Sequence, residues 1–166
     1  HVIASPDHFT TFAFVSLMEN GERDFYFNRG ADGMLNDLEV SAIDIDPFKI
    51  AHFGSATGFL SGPLQEAYLN LLIRAKQNGL YISFDPNYRH LLFGKNRQEF
   101  IQRSWEFIRL SDFIKVSDEE AIMITASATA EDAVKVFSTE TNAVIAVTIG
   151  KEGTLFGYKG KTILVP

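Results

Sequence analysis

The spacing of hydrophobic positions separates a short front segment from the rest of the chain. Thr10 to Met18 is rich in β-branched and aromatic residues, and Arg23 to Asn28 alternates apolar with polar positions, as strands do. Asn20-Gly21 between them is typical of a tight turn, because both residues tolerate positive φ. The pattern predicts an antiparallel β-hairpin, with loops following at Arg29 to Gly33 and Asp44 to Pro47.

Further along, apolar residues recur three and four positions apart, the spacing that buries one face of a helix. The clearest helical stretch follows Gly62-Pro63 and ends at Asn78-Gly79, where we expect a left-handed cap. Its apolar stripe comprises Leu64, Ala67, Tyr68, Leu71, Leu72 and Ala75. The next helix carries its apolar face at Phe100, Ile101, Trp105 and Ile108. The pattern predicts further helices from Ser117 onward and over Glu131 to Ser138.

Short apolar runs alternate with these helices and indicate strands. In chain order they are Lys49 to Phe53, Leu80 to Phe84, Phe113 to Val116 and Ala143 to Thr148, followed by a terminal antiparallel hairpin of Thr154 to Tyr158 and Thr162 to Val165. Strands that alternate with helices are typical of a parallel sheet with right-handed crossovers. We therefore predict an α/β fold, a parallel sheet flanked by helices, with a β-hairpin appended at the front.

Composition narrows the classes of function. The 166 residues carry a net charge of −6, which argues against nucleic acid or an anionic membrane as the main partner. The absence of cysteine excludes disulfides, thiolate metal sites and cysteine nucleophiles. No apolar run approaches the roughly 18 residues of a membrane span, and the four histidines lack metal-ligand spacing. We expect a soluble cytoplasmic protein whose ends are missing from this sequence.

Polar residues follow four of the predicted strands. The four segments are Gly54-Ser55, Asp85-Pro86-Asn87-Tyr88-Arg89, Lys115 to Glu120, and Thr148 to Gly153. Open parallel sheets bind ligands outside the carboxyl ends of their strands. Since these ends meet at one edge of a parallel sheet, we expect a binding site there.

Each segment allows a structural and a functional interpretation. Thr148 to Gly153 is either a plain turn or a backbone cradle for phosphate. Ser117 and Glu120 form either a capping box alone or part of a phosphate site that a divalent cation completes. Arg29 and Arg89 are either surface ion-pair partners or donors to a bound hydroxyl, carboxylate or phosphate. Taken one at a time, the motifs favour the structural interpretation.

Taken together and in this order, the segments resemble the ribokinase-like (PfkB) family of carbohydrate kinases, and within it the fructokinase branch. The resemblance covers nearly the whole chain. Its most specific parts are Asp85-Pro86-Asn87-Tyr88-Arg89 and Lys115-Val116-Ser117-Asp118-Glu119-Glu120. It implies a three-layer α/β fold, with residues 1–33 as part of a small β lid and residues 34–166 as an incomplete core. A homodimer paired through the lid is a further implication.

The resemblance also implies roles for individual residues. Positions that contact the sugar match Phe27, Arg29, Gly54 and Arg89. Positions that contact the nucleotide match Lys115, Ser117, Thr148, Gly150 and Gly153. Glu120 matches the acidic residue that organises Mg²⁺ and phosphate through water, and Ser117 stands where other branches of the family have Asn. The implied cofactors are ATP and Mg²⁺.

The activity that the resemblance implies is phosphoryl transfer from ATP to a primary hydroxyl of a sugar, with fructose as the expected acceptor. The family's Gly-Gly sugar segment and its Gly-Ala-Gly-Asp segment, which supplies the catalytic base, do not occur in this sequence. We therefore expect a central portion of a kinase, inactive alone, with the base beyond residue 166. Two alternatives stay open: a non-catalytic sugar- or partner-binding protein, and a 2-keto-3-deoxygluconate kinase in which Arg29 and Arg89 meet a carboxylate.

Overall fold

The computed structural model describes residues 2–18 and 23–166, and two β-sheets are present in this part of the chain. The first sheet is a hairpin of strands β1 (Phe12–Leu17) and β2 (Arg23–Asn28), in which Phe14 lies opposite Tyr26. The predicted front hairpin is therefore confirmed. The turn predicted at Asn20-Gly21 lies outside the described residues.

The second sheet has six strands arranged in chain order. They are β3 (Ile50–Gly54), β4 (Tyr81–Asp85), β5 (Phe113–Ser117), β6 (Val144–Thr148), β7 (Thr154–Tyr158) and β8 (Lys161–Val165). Strands β3 to β6 are parallel, whereas β7 and β8 pair antiparallel. The α/β class with a separate small hairpin is confirmed, and the sheet is mixed because the predicted terminal hairpin joins it.

Helices connect the strands. They are α1 (Asp37–Ser41), α2 (Pro63–Gln77), α3 (His90–Phe93), α4 (Arg97–Leu110), α5 (Asp118–Thr125) and α6 (Ala130–Glu140). The sequence predicts α2, α4, α5 and α6, whereas α1 and α3 are too short to show helical periodicity. Within the described residues no helix is both long enough and apolar enough to cross a membrane.

Helices α2, α4, α5 and α6 pack on one face of the six-stranded sheet. Right-handed crossovers between neighbouring parallel strands place every connecting helix on the same side. The burial of the strands agrees with this, because Phe84, Ile114 and Ile145 on the helix side are buried, whereas Ile50 and Tyr81 on the other side are exposed. Among the described residues, that other side has no helical cover.

An aromatic cluster fills the space between the sheet and helix α4. The ring of Phe107 lies 5.6 Å from that of Phe53, 4.9 Å from Phe59, 5.4 Å from Tyr68 and 5.3 Å from Phe84, measured between centroids. Tilted and offset rings at these separations attract one another in addition to the area they bury. The cluster therefore joins β3, β4, α2 and α4 in a single contact region.

The buried face of α4 differs from the predicted one. Ile101 and Trp105 are only partly buried, and Ser104 and Phe107 take fully buried positions instead. The hydroxyl of Ser104 donates a 2.8 Å hydrogen bond to the carbonyl oxygen of Phe100. Because its polar group is satisfied by its own helix, Ser104 can occupy a core position at little cost.

Substituting Phe107 tests the importance of this cluster. We expect Phe107→Ala to lower the free energy of unfolding by about 3–5 kcal/mol, since it leaves a cavity among four rings. Leu38→Ala, at a position that is 84% exposed, should change it by less than about 0.5 kcal/mol. Urea denaturation of both variants makes the comparison. Equal effects of the two substitutions would contradict the central role of Phe107.

Candidate nucleotide and sugar site

The parallel strands end together at one edge of the sheet. Gly54 at the end of β3 pairs with Asp85 of β4, and Ser117 at the end of β5 pairs with Thr148 of β6. The polar segments that follow these strands therefore lie at the same edge, as the alternation of strands and helices predicts.

A cleft of about 640 Å³ lies between the β4–α3 loop and the first turn of α5. Four residues that the sequence proposes for the site line it: Arg89, Lys115, Ser117 and Glu120. Arg97 is a further cation on its wall. The carboxylates of Glu119 and Glu120 line it as well. The three cations and the N-terminal end of α5 suit an anionic ligand such as a phosphate, while the two carboxylates would repel it unless a divalent cation lay between them.

The predicted capping box of α5 is present. The hydroxyl of Ser117 accepts a 3.2 Å hydrogen bond from the amide of Glu120, and Glu120 Oε2 accepts a 2.8 Å bond from the amide of Ser117. The second carboxylate oxygen, Oε1, accepts a 2.6 Å bond from the amide of Tyr88 in the β4–α3 loop. Sequence reasoning missed this second contact, because it joins residues far apart in the chain.

Asp85 and Lys115 form an ion pair at the ends of β4 and β5. Lys115 Nζ lies 3.2 Å from Asp85 Oδ2, while Asp85 Oδ1 is buried and has no hydrogen-bond partner in the described part of the chain. The pair fixes the direction of an amine that is 43% exposed. The sequence predicts Asp85 only as a turn residue, because no local pattern connects it to Lys115.

Arg89 connects the strand ends to the front hairpin. Its guanidinium carbon lies 5.1 Å from the centroid of the Phe25 ring in β2, a cation–π distance. Phe25 and Phe27 lie on the same face of β2, with their rings stacked at 6.2 Å. That face of the hairpin is therefore directed toward the β4–α3 loop.

Phe27 and Arg29 lie in a separate pocket of about 280 Å³, next to α3 and the start of α4. Arg29 Nε donates to Asp32 Oδ2 at 3.2 Å, and its Nη1 donates to the carbonyl oxygen of Ser61 at 3.2 Å. The structure thus contains the ion pair that was one interpretation of Arg29. It does not bring Phe27 or Arg29 into the 640 Å³ cleft.

The segment after β6 has the geometry of a turn. Thr148 Oγ1 donates a 3.3 Å bond to the carbonyl oxygen of Val116. Gly153 has a φ of 112°, and a Cβ there would lie 2.1 Å from the carbonyl oxygen of Val165. Gly150, with a φ of 49°, faces open space. The close approach of Val165 therefore explains why residue 153 is a glycine, whereas the space around Gly150 leaves room for a ligand.

A model of the pfkB family of carbohydrate kinases matches residues 1–166. The chain is 34% identical over 155 residues to probable fructokinase-5 of Arabidopsis thaliana, covering 90% of this chain and 47% of that protein. The chain spans half or less of the length of these curated relatives, from 30% of probable fructokinase-6 of Arabidopsis thaliana to 50% of fructokinase-2 of Solanum lycopersicum.

Solved structures give the same result for the fold. The apo fructokinase of Vibrio cholerae O395 superposes with a TM-score of 0.80 at 26% identity, covering 96% of this chain and 54% of that one. A form of that enzyme with bound fructose, ADP and calcium ion gives a TM-score of 0.80 at 24% identity, over 97% and 52% of the two chains.

Tyr68 supports the end of β3 from helix α2, and its hydroxyl allows a test by pH. The hydroxyl accepts a 3.0 Å hydrogen bond from the amide of Gly54. Burial raises the pKa of the Tyr68 phenol above its usual value, and the bond from Gly54 opposes this only in part. Because the folded state holds this proton more tightly than the unfolded chain, its contribution to stability is full below about pH 10 and declines above it.

We expect Tyr68→Phe to be about 1–3 kcal/mol less stable than the natural chain at pH 7, because the amide of Gly54 loses its partner. This difference should shrink as the pH rises above about 10, since only the natural chain carries the phenol. Urea denaturation of both proteins between neutral and strongly alkaline pH measures it. A difference that stays constant over this range would contradict the assignment.

Proposed function

Because this chain belongs to the pfkB family of carbohydrate kinases, we propose that the protein carrying it transfers the γ-phosphoryl group of ATP to a primary hydroxyl of a sugar, with fructose as the preferred acceptor. The observation that carries the proposal is the cleft at the start of α5, which brings Arg89, Arg97 and Lys115 together with the carboxylates of Glu119 and Glu120. Matches to fructokinases in both sequence and fold support the choice of sugar.

The nucleotide side of the site comprises Lys115, Ser117, Thr148, Gly150 and Gly153. Lys115 Nζ and the amides of Asp118 and Glu119, which the capping box does not use, suit phosphate oxygens. Lys115 also lies on the wall of the cleft beside Ser117. The ADP bound in the fructokinase of Vibrio cholerae O395 supports a nucleotide as a ligand of this chain.

Glu120 is the proposed contact for Mg²⁺. Each carboxylate oxygen has two lone pairs, and the amides of Ser117 and Tyr88 use one on each. The remaining lone pairs suit the waters of a hydrated cation, which is how Mg²⁺ usually meets a protein. When bound, the ion would neutralise charge on the phosphates during transfer.

The sugar side comprises Arg89 and Gly54 at the strand ends, with Phe27 and Arg29 at the base of the hairpin. The guanidinium carbon of Arg89 lies 5.1 Å from the centroid of the Phe25 ring, and a guanidinium has five N–H donors that can bind sugar hydroxyls. Arg29 is already paired with Asp32. The alternative in which Arg29 and Arg89 together bind the carboxylate of 2-keto-3-deoxygluconate would have to compete with this pair, which favours a neutral sugar.

We assign residues 1–33 to the lid and residues 34–166 to the core of the kinase domain. The lid would exclude water from the sugar when the site closes, as mobile covers do in phosphoryl-transfer enzymes. The contact between Phe25 and Arg89 supports this division, since Arg89 is a residue that we propose for sugar binding. A cytoplasmic location stays a prediction.

The proposal is tested with the protein that carries this chain, ATP, Mg²⁺ and a panel of hexoses, pentoses and keto-acid sugars. We expect sugar-dependent release of ADP, greatest with fructose. Arg89→Ala should raise the KM for the sugar roughly 10- to 100-fold and leave the KM for ATP within about twofold, as expected for a lost charged hydrogen bond. Arg109→Ala is the matched control, because Arg109 pairs with Glu140 on the helical surface.

If Arg89→Ala changed the KM for the sugar and the KM for ATP equally, Arg89 would not be a residue of the sugar site. Absence of ADP release with every sugar would overturn the kinase proposal and favour the non-catalytic binding protein. Release with the keto-acid sugar alone would favour 2-keto-3-deoxygluconate.

We also propose that two copies pair through the hairpin. The outward face of the hairpin carries Phe12, Phe14 and Tyr26, which are 51%, 60% and 67% exposed. Their rings form a row, with centroids 6.4 Å apart at each step. Exposed aromatic rows of this kind mark interaction surfaces, and the matching row of a second copy is a complementary partner.

Phe14→Glu should convert the dimer to a monomer, because it places a charge in the middle of the buried row. Leu38→Glu, at an exposed position in α1, is the control and should leave the mass unchanged. Sedimentation equilibrium of the protein that carries the chain measures the mass. A natural protein that is monomeric, or a Phe14→Glu variant that remains dimeric, would contradict pairing through this face.

A further inference from the structure

The carboxylate of Glu120 joins two elements that are separate in the chain. Its Oε2 accepts from the amide of Ser117 at 2.8 Å, and its Oε1 accepts from the amide of Tyr88 at 2.6 Å. Hydrogen bonds to a charged acceptor are shorter and stronger than those between neutral groups. A single side chain therefore fastens the β4–α3 loop to the start of α5.

The loop that Glu120 holds has a defined conformation. Asn87 adopts a left-handed backbone with a φ of 48°, a turn conformation that asparagine tolerates better than most residues. The ring of Tyr88 packs on Phe93 and Phe100, with centroids 6.0 Å and 4.8 Å away. Tyr88 is thus held by its ring on one side and by its amide on the other.

Arg89 is the next residue after this anchor. Its backbone precedes α3 directly, and its guanidinium lies 5.1 Å from the ring of Phe25 in the hairpin. The direction in which the Arg89 side chain leaves the loop is set by the peptide that joins it to Tyr88. A continuous series of contacts, from Glu120 through Tyr88 and Arg89 to Phe25, therefore connects the capping box of α5 to the hairpin.

We propose that Glu120 is a positioning residue for Arg89: by holding the amide of Tyr88, it fixes the guanidinium against Phe25 and keeps the sugar side of the cleft in place. This role is distinct from any contact with a cation. The effect of Glu120 on sugar binding rests on the kinase function proposed above. Its effect on the positions of Tyr88 and Arg89 does not depend on that function. It predicts that loss of Glu120 acts on the sugar as well as on the metal.

The structural part is tested by NMR in the protein that carries this chain. In Glu120→Ala, we expect the amide of Tyr88 to exchange with solvent about tenfold faster or more, as for loss of a charged hydrogen bond. The Nε–H signal of Arg89 should also lose the chemical-shift contribution from the ring current of Phe25. The Phe25→Leu variant gives the size of that contribution. Glu120→Gln keeps the size and one acceptor oxygen, so it should give an intermediate result even where the alanine variant folds poorly.

Two matched controls separate positioning from helix capping and from charge. Ser117→Ala removes the hydroxyl of the capping box but leaves both bonds of the Glu120 carboxylate, so the amide of Tyr88 should stay protected. Glu131→Ala removes the same charge from an exposed residue of α6 that does not line the cleft and should not change the Arg89 signal. Unchanged Tyr88 exchange and Arg89 signals in Glu120→Ala would overturn the proposal, whatever the activity.

The kinetic part uses the protein that carries the chain. Glu120→Gln should raise the KM for the sugar about tenfold even at saturating Mg²⁺, and the effect should largely disappear in an Arg89→Ala background, because both changes remove one interaction. A shift in Mg²⁺ dependence with an unchanged sugar KM would overturn positioning and leave the kinase proposal standing. Absence of any turnover in the natural protein would overturn the kinase proposal, while the NMR results still decide the role of Glu120.

Discussion

The packing of Phe107 among aromatic rings is the contact on which the rest of the structure depends. It fixes the ends of β3 and β4 relative to α4, and it continues toward the site, because Phe59 lies 5.9 Å from Phe100 and Phe100 lies 4.8 Å from Tyr88. Close-packed interiors transmit displacements and do not absorb them. The position of the β4–α3 loop is therefore set by the core as much as by its own turn residues.

Charge at the strand edge is arranged locally and against the net charge of the chain. The chain carries −6 overall, yet Arg89, Arg97 and Lys115 line one cleft, together with the carboxylates of Glu119 and Glu120. The potential within a cleft depends on the charges that line it more than on the total charge of the chain. The three cations suit the anionic ligand that we propose, and the two carboxylates are the reason why we expect a divalent cation to accompany it.

The sequence predicts features that depend on neighbours in the chain and misses those that depend on distant contacts. The capping box of Ser117 and Glu120 is visible because its two members are three residues apart. Helix α1 carries the same signature at Asn36 and Glu39, but five residues show no apolar stripe to accompany it. Neither the capping signature nor the apolar stripe predicts the hydrogen bond from the amide of Tyr88 to Glu120, because this bond forms only once β4 and β5 are paired. The site is therefore less predictable than the fold.

The hairpin also depends on the rest of the structure. A two-stranded sheet alone is marginally stable in water, so its contact with Arg89 contributes to keeping it docked. A guanidinium beside an aromatic ring still has N–H groups that donate hydrogen bonds. In the function that we propose, Arg89 would therefore bind a sugar hydroxyl without leaving Phe25, and the bound sugar would make its position more defined. For that reason closure of the hairpin and occupation of the sugar site would stabilise each other through one side chain.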